Sequence, residues 1–196
     1  MRKIETAALE TGLSHILAAP KGAGRILRLC YRPHFSKRVY PEMLDFCPQR
    51  GVEGDRWAEH SWLRLPDGQP DPQNQVCILP LRTYELICQF ADDMPDPGDT
   101  IIADWDMTEA NLPAGGLISA GSAVLRVSAL FNDACTKWRV RYGQASYDWI
   151  NREDHRAFRL RGMFCSVEKP GRLHRDDALT ALANQPAVKV PEDLPL

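Results

Sequence analysis

Apolar positions along this chain recur at two different spacings. Over the first segment Ile4, Ala8, Leu9, Leu13, Ile16 and Leu17 fall three or four residues apart, and Pro20, Gly22 and Gly24 end the pattern. That spacing predicts an amphipathic helix in an N-terminal extension, residues 1–24, ahead of the main domain. From Arg25 the rhythm changes to short apolar runs: Ile26 to Tyr31, Val76 to Leu79, Thr100 to Ala103, Ala123 to Leu130, and Met163 to Val167. Each has the length of a strand, and Gly, Pro or Asp punctuates the gaps between them.

Two helical intervals interrupt the strands. After Pro80, a residue suited to a first helical position, Leu81, Tyr84, Ile87 and Cys88 share one face of a segment running to about Phe90. A second interval lies between Ala145 and Phe158, where Tyr147, Trp149, Ile150 and Phe158 are mixed with charges. Many short strands, few helices and no regular β-α alternation predict a mainly β fold, a closed or half-closed barrel over residues 25–180. The stretch Leu65 to Gln75, with three prolines and Gly68, reads as a long surface loop, and the Pro-containing tail within residues 181–196 reads as poorly ordered or as a packed arm.

Composition narrows the setting. At 196 residues, 44% hydrophobic and 26% charged, the chain suits one globular domain with a full core. A formal charge of −2 offers no global field for nucleic acid or an anionic membrane, so neither is expected as a partner. The first 20 residues carry Glu5, Glu10 and His15 and lack an unbroken apolar stretch, which points to a cytoplasmic location. The six cysteines form no C-x-x-C pair and the five histidines no i, i+4 pair, so thiols are expected and a zinc ribbon or histidine metal site is not.

Three constellations carry chemistry. In Gly51-Val52-Glu53-Gly54-Asp55-Arg56-Trp57 two glycines three apart permit a tight backbone path, Asp55 can fix it, and Arg56 is expected to point outward; the loop is either an anion site or a plain turn. In Asn132-Asp133-Ala134-Cys135-Thr136-Lys137, Asn132 or Asp133 is a candidate N-cap that places Cys135 in a first helical turn, with Lys137, Arg139 and Arg141 beyond it. The same residues also alternate at strand spacing, so both conformations stay open. A thiolate there can bind a soft metal, accept sulfur as a persulfide, or act as a nucleophile. Cys30, Cys77, Cys88 and Cys165 lie within apolar runs and read as buried structural thiols. The third constellation, Asn111-Leu112-Pro113-Ala114-Gly115-Gly116-Leu117 before Gly121 and a strand, suggests a tight turn whose role is architectural.

Taken in order, these pieces resemble the MOSC family, named for the C-terminal domain of molybdenum cofactor sulfurase. The resemblance runs from Ile26 to Pro33 through Gly51 to Arg56, Asn111-Leu112, Gly116-Leu117, the Gly121 to Val127 strand and Cys135, and closes at Arg161 to Val167 with Gly171. It covers roughly residues 25–179 and rests on the order of the motifs. Family members usually have His where this chain has Trp57, Glu where it has Ala110, and Gly where it has Asp176.

The resemblance implies a MOSC-like β-barrel with a few helices and an association with the molybdenum cofactor or sulfur transfer. It makes Cys135 a sulfur carrier or molybdenum ligand, and Gly54, Asp55, Arg56, Asn111, Lys137 and Arg139 the candidate cofactor-binding residues. Arg56 and Lys137, then Arg139, are nominated for the cofactor phosphate. A sulfur donor or redox protein is the implied partner. Two other readings stand beside it: a non-catalytic module binding a partner or small anionic ligand, motivated by Trp57 and Ala110, and a reductase of N-hydroxylated compounds that needs a separate electron donor.

Overall fold

The alternation of side chains along strands decides which residues fill the interior and which face the site. The structure, a computed structural model, describes residues 4–88 and 96–182. Its first half contains α1 (Thr6–Leu17), β1 (Ala23–Leu29), β2 (Met43–Cys47), β3 (Gly51–Val52), α2 (Trp57–His60), β4 (Val76–Pro80), α3 (Leu81–Ile87) and β5 (Ile101–Asp104). Its second half adds β6 (Leu117–Ala120), β7 (Ala123–Val127), α4 (Thr136–Tyr142), α5 (Gln144–Ile150), β8 (Met163–Lys169), β9 (Gly171–His174) and β10 (Ala178–Ala181).

Seven strands close into a barrel in the order β1-β10-β6-β7-β8-β4-β5, and β3-β2-β9 form a small separate sheet. All barrel pairs are antiparallel except β4 with β5, which run parallel because α3 carries the chain back between them. In β4, Val76 and Ile78 join the interior cluster while Cys77 and Leu79 face the opposite way. The same alternation sends Met163, Cys165 and Val167 of β8 inward and leaves Phe164 outside, paired in register with Cys77. The outer surface of β4 and β8 is therefore the floor of whatever lies over it.

A second apolar cluster sits beside the barrel. It joins Leu9 and Ile16 of α1, Ile87 and Cys88 at the end of α3, Trp138 and Tyr142 of α4, and Trp149 and Ile150 of α5. Burying two such aliphatic side chains contributes roughly 3–6 kcal/mol, enough to hold α1 against α3 and α5. The helix read from residues 4–17 is thus present and packed.

The mainly β barrel expected from the apolar runs is present, with four corrections of detail and one open alternative resolved. The strand begun at Ala123 stops at Val127, because Ser128 turns its hydroxyl to the Leu130 N–H and to Gln73. Pro80 closes β4 and caps α3 from outside the helix instead of opening it. The stretch 65–75 is ordered by an Arg64 to Pro70 bridge and a 3-10 turn over Pro72–Asn74, and Gln75 is buried where it links Pro48 O to Val167 N. The segment after Cys135 is helical, not extended, and the helical interval after Ala145 begins one residue earlier and continues as a 3-10 turn over Glu153–Phe158. The end of the helix placed near Phe90 and the tail from Gln185 lie outside the described residues.

Gly162 makes the tightest of these junctions. Its φ of +87° and its place against Ile78 O, 2.0 Å from where a Cβ would stand, leave no room for a side chain. Gly162→Ala should lose roughly 2–4 kcal/mol of unfolding free energy in urea, whereas Gly115→Ala, at a φ of +81° in open space, should lose about 1 kcal/mol. Equal losses would show that contact with the β4 backbone is unimportant.

Candidate functional site

Cys135 stands at the rim of a cleft of about 380 Å³ that opens over the outer face of β4 and β8. It is exposed, and it occupies the N-cap position of α4, so neither Asn132 nor Asp133 caps that helix. Asn132 is used differently: its buried amide donates to Arg161 O at 3.0 Å and to Cys77 Sγ at 3.2 Å. Asn151 fixes the next residue from both sides, accepting from Ala134 N at 2.8 Å and donating to Ala134 O at 3.0 Å. These bonds pin the backbone that presents Cys135 although no side chain caps the helix.

Seven cationic side chains line the cleft: Arg32, Lys37, Arg38, Arg56, Lys137, Arg141 and Arg161. Only Asp99 and Asp133 oppose them among the lining residues. Arg32 is taken up by Asp55, which accepts from Arg32 N at 2.7 Å, Arg32 Nε at 3.1 Å and Trp57 N at 2.9 Å. Arg161 is taken up by Asp99 at 2.6 Å and lies over the Trp138 ring, 4.8 Å from its centre. The remaining five cations make no ion pair among the described residues, so positive charge is concentrated here in a chain of net charge −2.

Arg56 does not point outward. Its guanidinium lies 4.2 Å from the centre of the Phe35 ring, and its Nε is sealed without a hydrogen-bond partner among the described residues. Burial, and after it the neighbouring Arg32 guanidinium, pushes its pKa below the ordinary value. Burial opposes the charge on Arg161 as well, but Asp99 outweighs it and holds that guanidinium ionised. Burial followed by the Asp99 charge pushes the Cys77 thiol well up, and Cys77 Sγ donates to Asp99 Oδ1 at 2.8 Å. Cys77 is therefore a neutral floor group, as its place in an apolar run suggested.

The candidates named from the sequence separate into three groups. Arg56, Lys137 and Cys135 share the cleft. Gly54 and Asp55 support it from behind, Gly54 by the positive φ that turns the chain against Tyr31 and Asp55 by holding Arg32. Asn111 and Arg139 are elsewhere. The Asn111 amide donates to Asp106 O at 2.7 Å beside a separate cavity under Leu112 and Gly116, and Arg139 faces the Tyr147 ring. Trp57 is also absent from the cleft: it is buried and donates through Nε1 to Asn74 Oδ1 at 2.6 Å. Arg32, Arg38, Asp99 and Arg161 are not among the residues named from the sequence; the dense basic run from Arg32 to Arg38 is the one signal in the chain that marks any of them. The aromatic rim, with Phe35 and Trp62 exposed and Trp62 6.2 Å from Phe164, was likewise unmarked.

No family model and no curated protein sequence matches the chain. Solved structures do. A crystal structure of a hypothetical protein is 20% identical, with a TM-score of 0.58 over 83% of this chain and 69% of that one. The YuaD protein from Bacillus subtilis is 19% identical, with a TM-score of 0.54 over 83% of this chain and 97% of that one. YiiM from Escherichia coli is 19% identical, with a TM-score of 0.53 over 82% and 71%. Identities this low carry the fold and nothing finer, and that fold is a MOSC-like barrel.

Proposed function

We propose that this chain acts as a stand-alone MOSC-type protein whose cleft holds an anionic ligand, with Cys135 at the rim as a sulfur carrier or as a thiolate ligand to molybdenum. The observation that carries the reading is the meeting, around one cavity, of an exposed thiol with five cations that make no ion pair among the described residues. Cationic side chains around one cavity, with sealed donors at Arg38 Nε and Arg56 Nε that have no partner among the described residues, are complementary to a phosphate-bearing ligand. A volume of about 380 Å³ lies in the range of pockets that hold organic cofactors.

The molybdenum cofactor, to which the MOSC-like fold is linked, suits these residues. Arg56 and Lys137 would hold its phosphate and Cys135 would offer a sulfur to its metal. Among the described residues no three His, Cys, Asp or Glu side chains are grouped to hold a metal ion, so one thiolate and the cofactor's own sulfurs would supply the ligation. Trp57 and Ala110, the residues that favour a non-catalytic module, both stand off the cleft wall, Trp57 in the interior. Their replacement leaves the basic wall and the thiol intact.

Two measurements test this reading. In the native protein at neutral pH, Cys135 should react with a thiol reagent at least about tenfold faster than Cys30, Cys77, Cys88 or Cys165. Burial pushes Cys30 up to about 11 and Cys88 and Cys165 up to about 12, so those thiols stay neutral and sealed. Peptide mapping that finds Cys135 inert until denaturation would remove the reactive-thiol proposal. Protein made in a molybdenum-replete host should carry close to stoichiometric molybdenum by elemental analysis and lose it in Cys135→Ser with the barrel still folded. Molybdenum that survives that substitution contradicts a metal-ligand role.

A further inference from the structure

The floor of the cleft holds a carboxylate with one oxygen unused. Asp99 is 3% exposed and lines the cavity. Its Oδ1 accepts from Arg161 Nη1 at 2.6 Å and from Cys77 Sγ at 2.8 Å. Its Oδ2 is sealed from solvent and has no hydrogen-bond partner among the described residues. Two donors lining the same cavity are in the same condition, Arg38 Nε and Arg56 Nε. Gly98 brings this corner together: a Cβ on it would stand 3.1 Å from Arg32 Cδ and 3.3 Å from Arg38 Nε, so both arginines lie against the backbone that leads into Asp99.

A buried polar atom without a partner is costly, and three of them around one cavity describe the group that would satisfy them. That group accepts hydrogen bonds from guanidinium N–H groups and donates one to a carboxylate. We propose that the cleft floor selects anionic groups that still carry a proton, of which hydrogenphosphate is the simplest, and that Asp99 is the residue that discriminates. This rests on the reading of the cleft as an anion site and adds to it the kind of anion: hydrogenphosphate, or a phosphate monoester in its singly protonated form, whose last proton ordinarily leaves at about pH 6. Paired with Arg161 at 2.6 Å, the Asp99 carboxylate offers hydrogen-bond acceptors only. Sulfate has the shape and charge of hydrogenphosphate but no O–H, so it meets the arginines equally well and turns a lone pair on Asp99 Oδ2. One proton separates the two ligands, and the floor is built to detect it.

The test is calorimetric titration of the whole chain with sodium phosphate, arsenate, sulfate and selenate in turn, at low ionic strength and about pH 8, where carboxylates are ionised and all four anions are divalent. Hydrogenphosphate and hydrogenarsenate should bind about tenfold or more tightly than sulfate and selenate. In Asp99→Asn, whose amide can donate, that preference should shrink to about threefold or less, or reverse. If the variant fails to fold, the four-anion comparison on the natural chain decides alone. Equal binding of all four overturns the role of Asp99 and leaves the anion cleft standing. Binding of none overturns the anion cleft itself, and the selectivity with it.

Discussion

The ion pair between Asp99 and Arg161, with its counterpart between Asp55 and Arg32, makes the rest of the site possible. Each carboxylate is buried and each holds one arginine at the foot of a cleft whose other five cations have no counter-ion among the described residues. Breaking a buried pair by removing one partner typically costs 3–5 kcal/mol, because a charge is then stranded in low dielectric. The two pairs therefore act as rigid posts. Asp55 ties the first barrel strand to the Gly51 to Trp57 turn, since Arg56 N also donates to Arg32 O at 2.9 Å. Asp99 ties the start of β5 to the segment entering β8, and through Cys77 and Asn132 to the backbone that carries Cys135.

Two cores divide the labour. The barrel supplies a stiff outer surface on which Cys77 and Phe164 lie side by side, and the helical cluster supplies α4 and its neighbours as the wall that bears Cys135 and Lys137. Trp138 belongs to the helical cluster and also lines the cleft, stacked by Arg161 on one side, edge-on to Tyr142 at 4.5 Å, and hydrogen-bonded through Nε1 to Ser146. The position of the thiol relative to the basic wall thus depends on helix packing as much as on the barrel.

Much of the barrel was legible in the chain because β1, β4, β5, β7 and β8 are buried enough to read as apolar runs. β10, and β9 of the small separate sheet, were not, since each turns a single large apolar residue inward, Leu179 and Leu173, and so leaves no pattern. Cys135 was legible because polar residues surround it in sequence, and Cys77 read as interior because it lies in a run of five buried residues. Its facing the cleft floor follows from period-two alternation against Val76 and Ile78. Arg32, Arg38, Asp99 and Arg161 come from separate segments that meet only in the folded chain, so no spacing could reveal them as a site. Asn111 was drawn in by motif order, whereas its amide serves the Asp106 turn.

A cleft that concentrates unpaired positive charge is held at the expense of stability in the unliganded protein. The most direct test of that claim is the unfolding free energy of Arg38→Met, which keeps an unbranched apolar stem in place of the first part of the side chain and removes both a charge and a sealed donor that has no partner among the described residues. Without ligand and at low ionic strength the variant should be more stable than the natural chain by about 0.5–1 kcal/mol, with the gain shrinking as salt screens the cluster. A variant that loses about 1 kcal/mol or more under the same conditions would mean that Arg38 is a structural residue and that the cleft is not a charge cluster awaiting an anion.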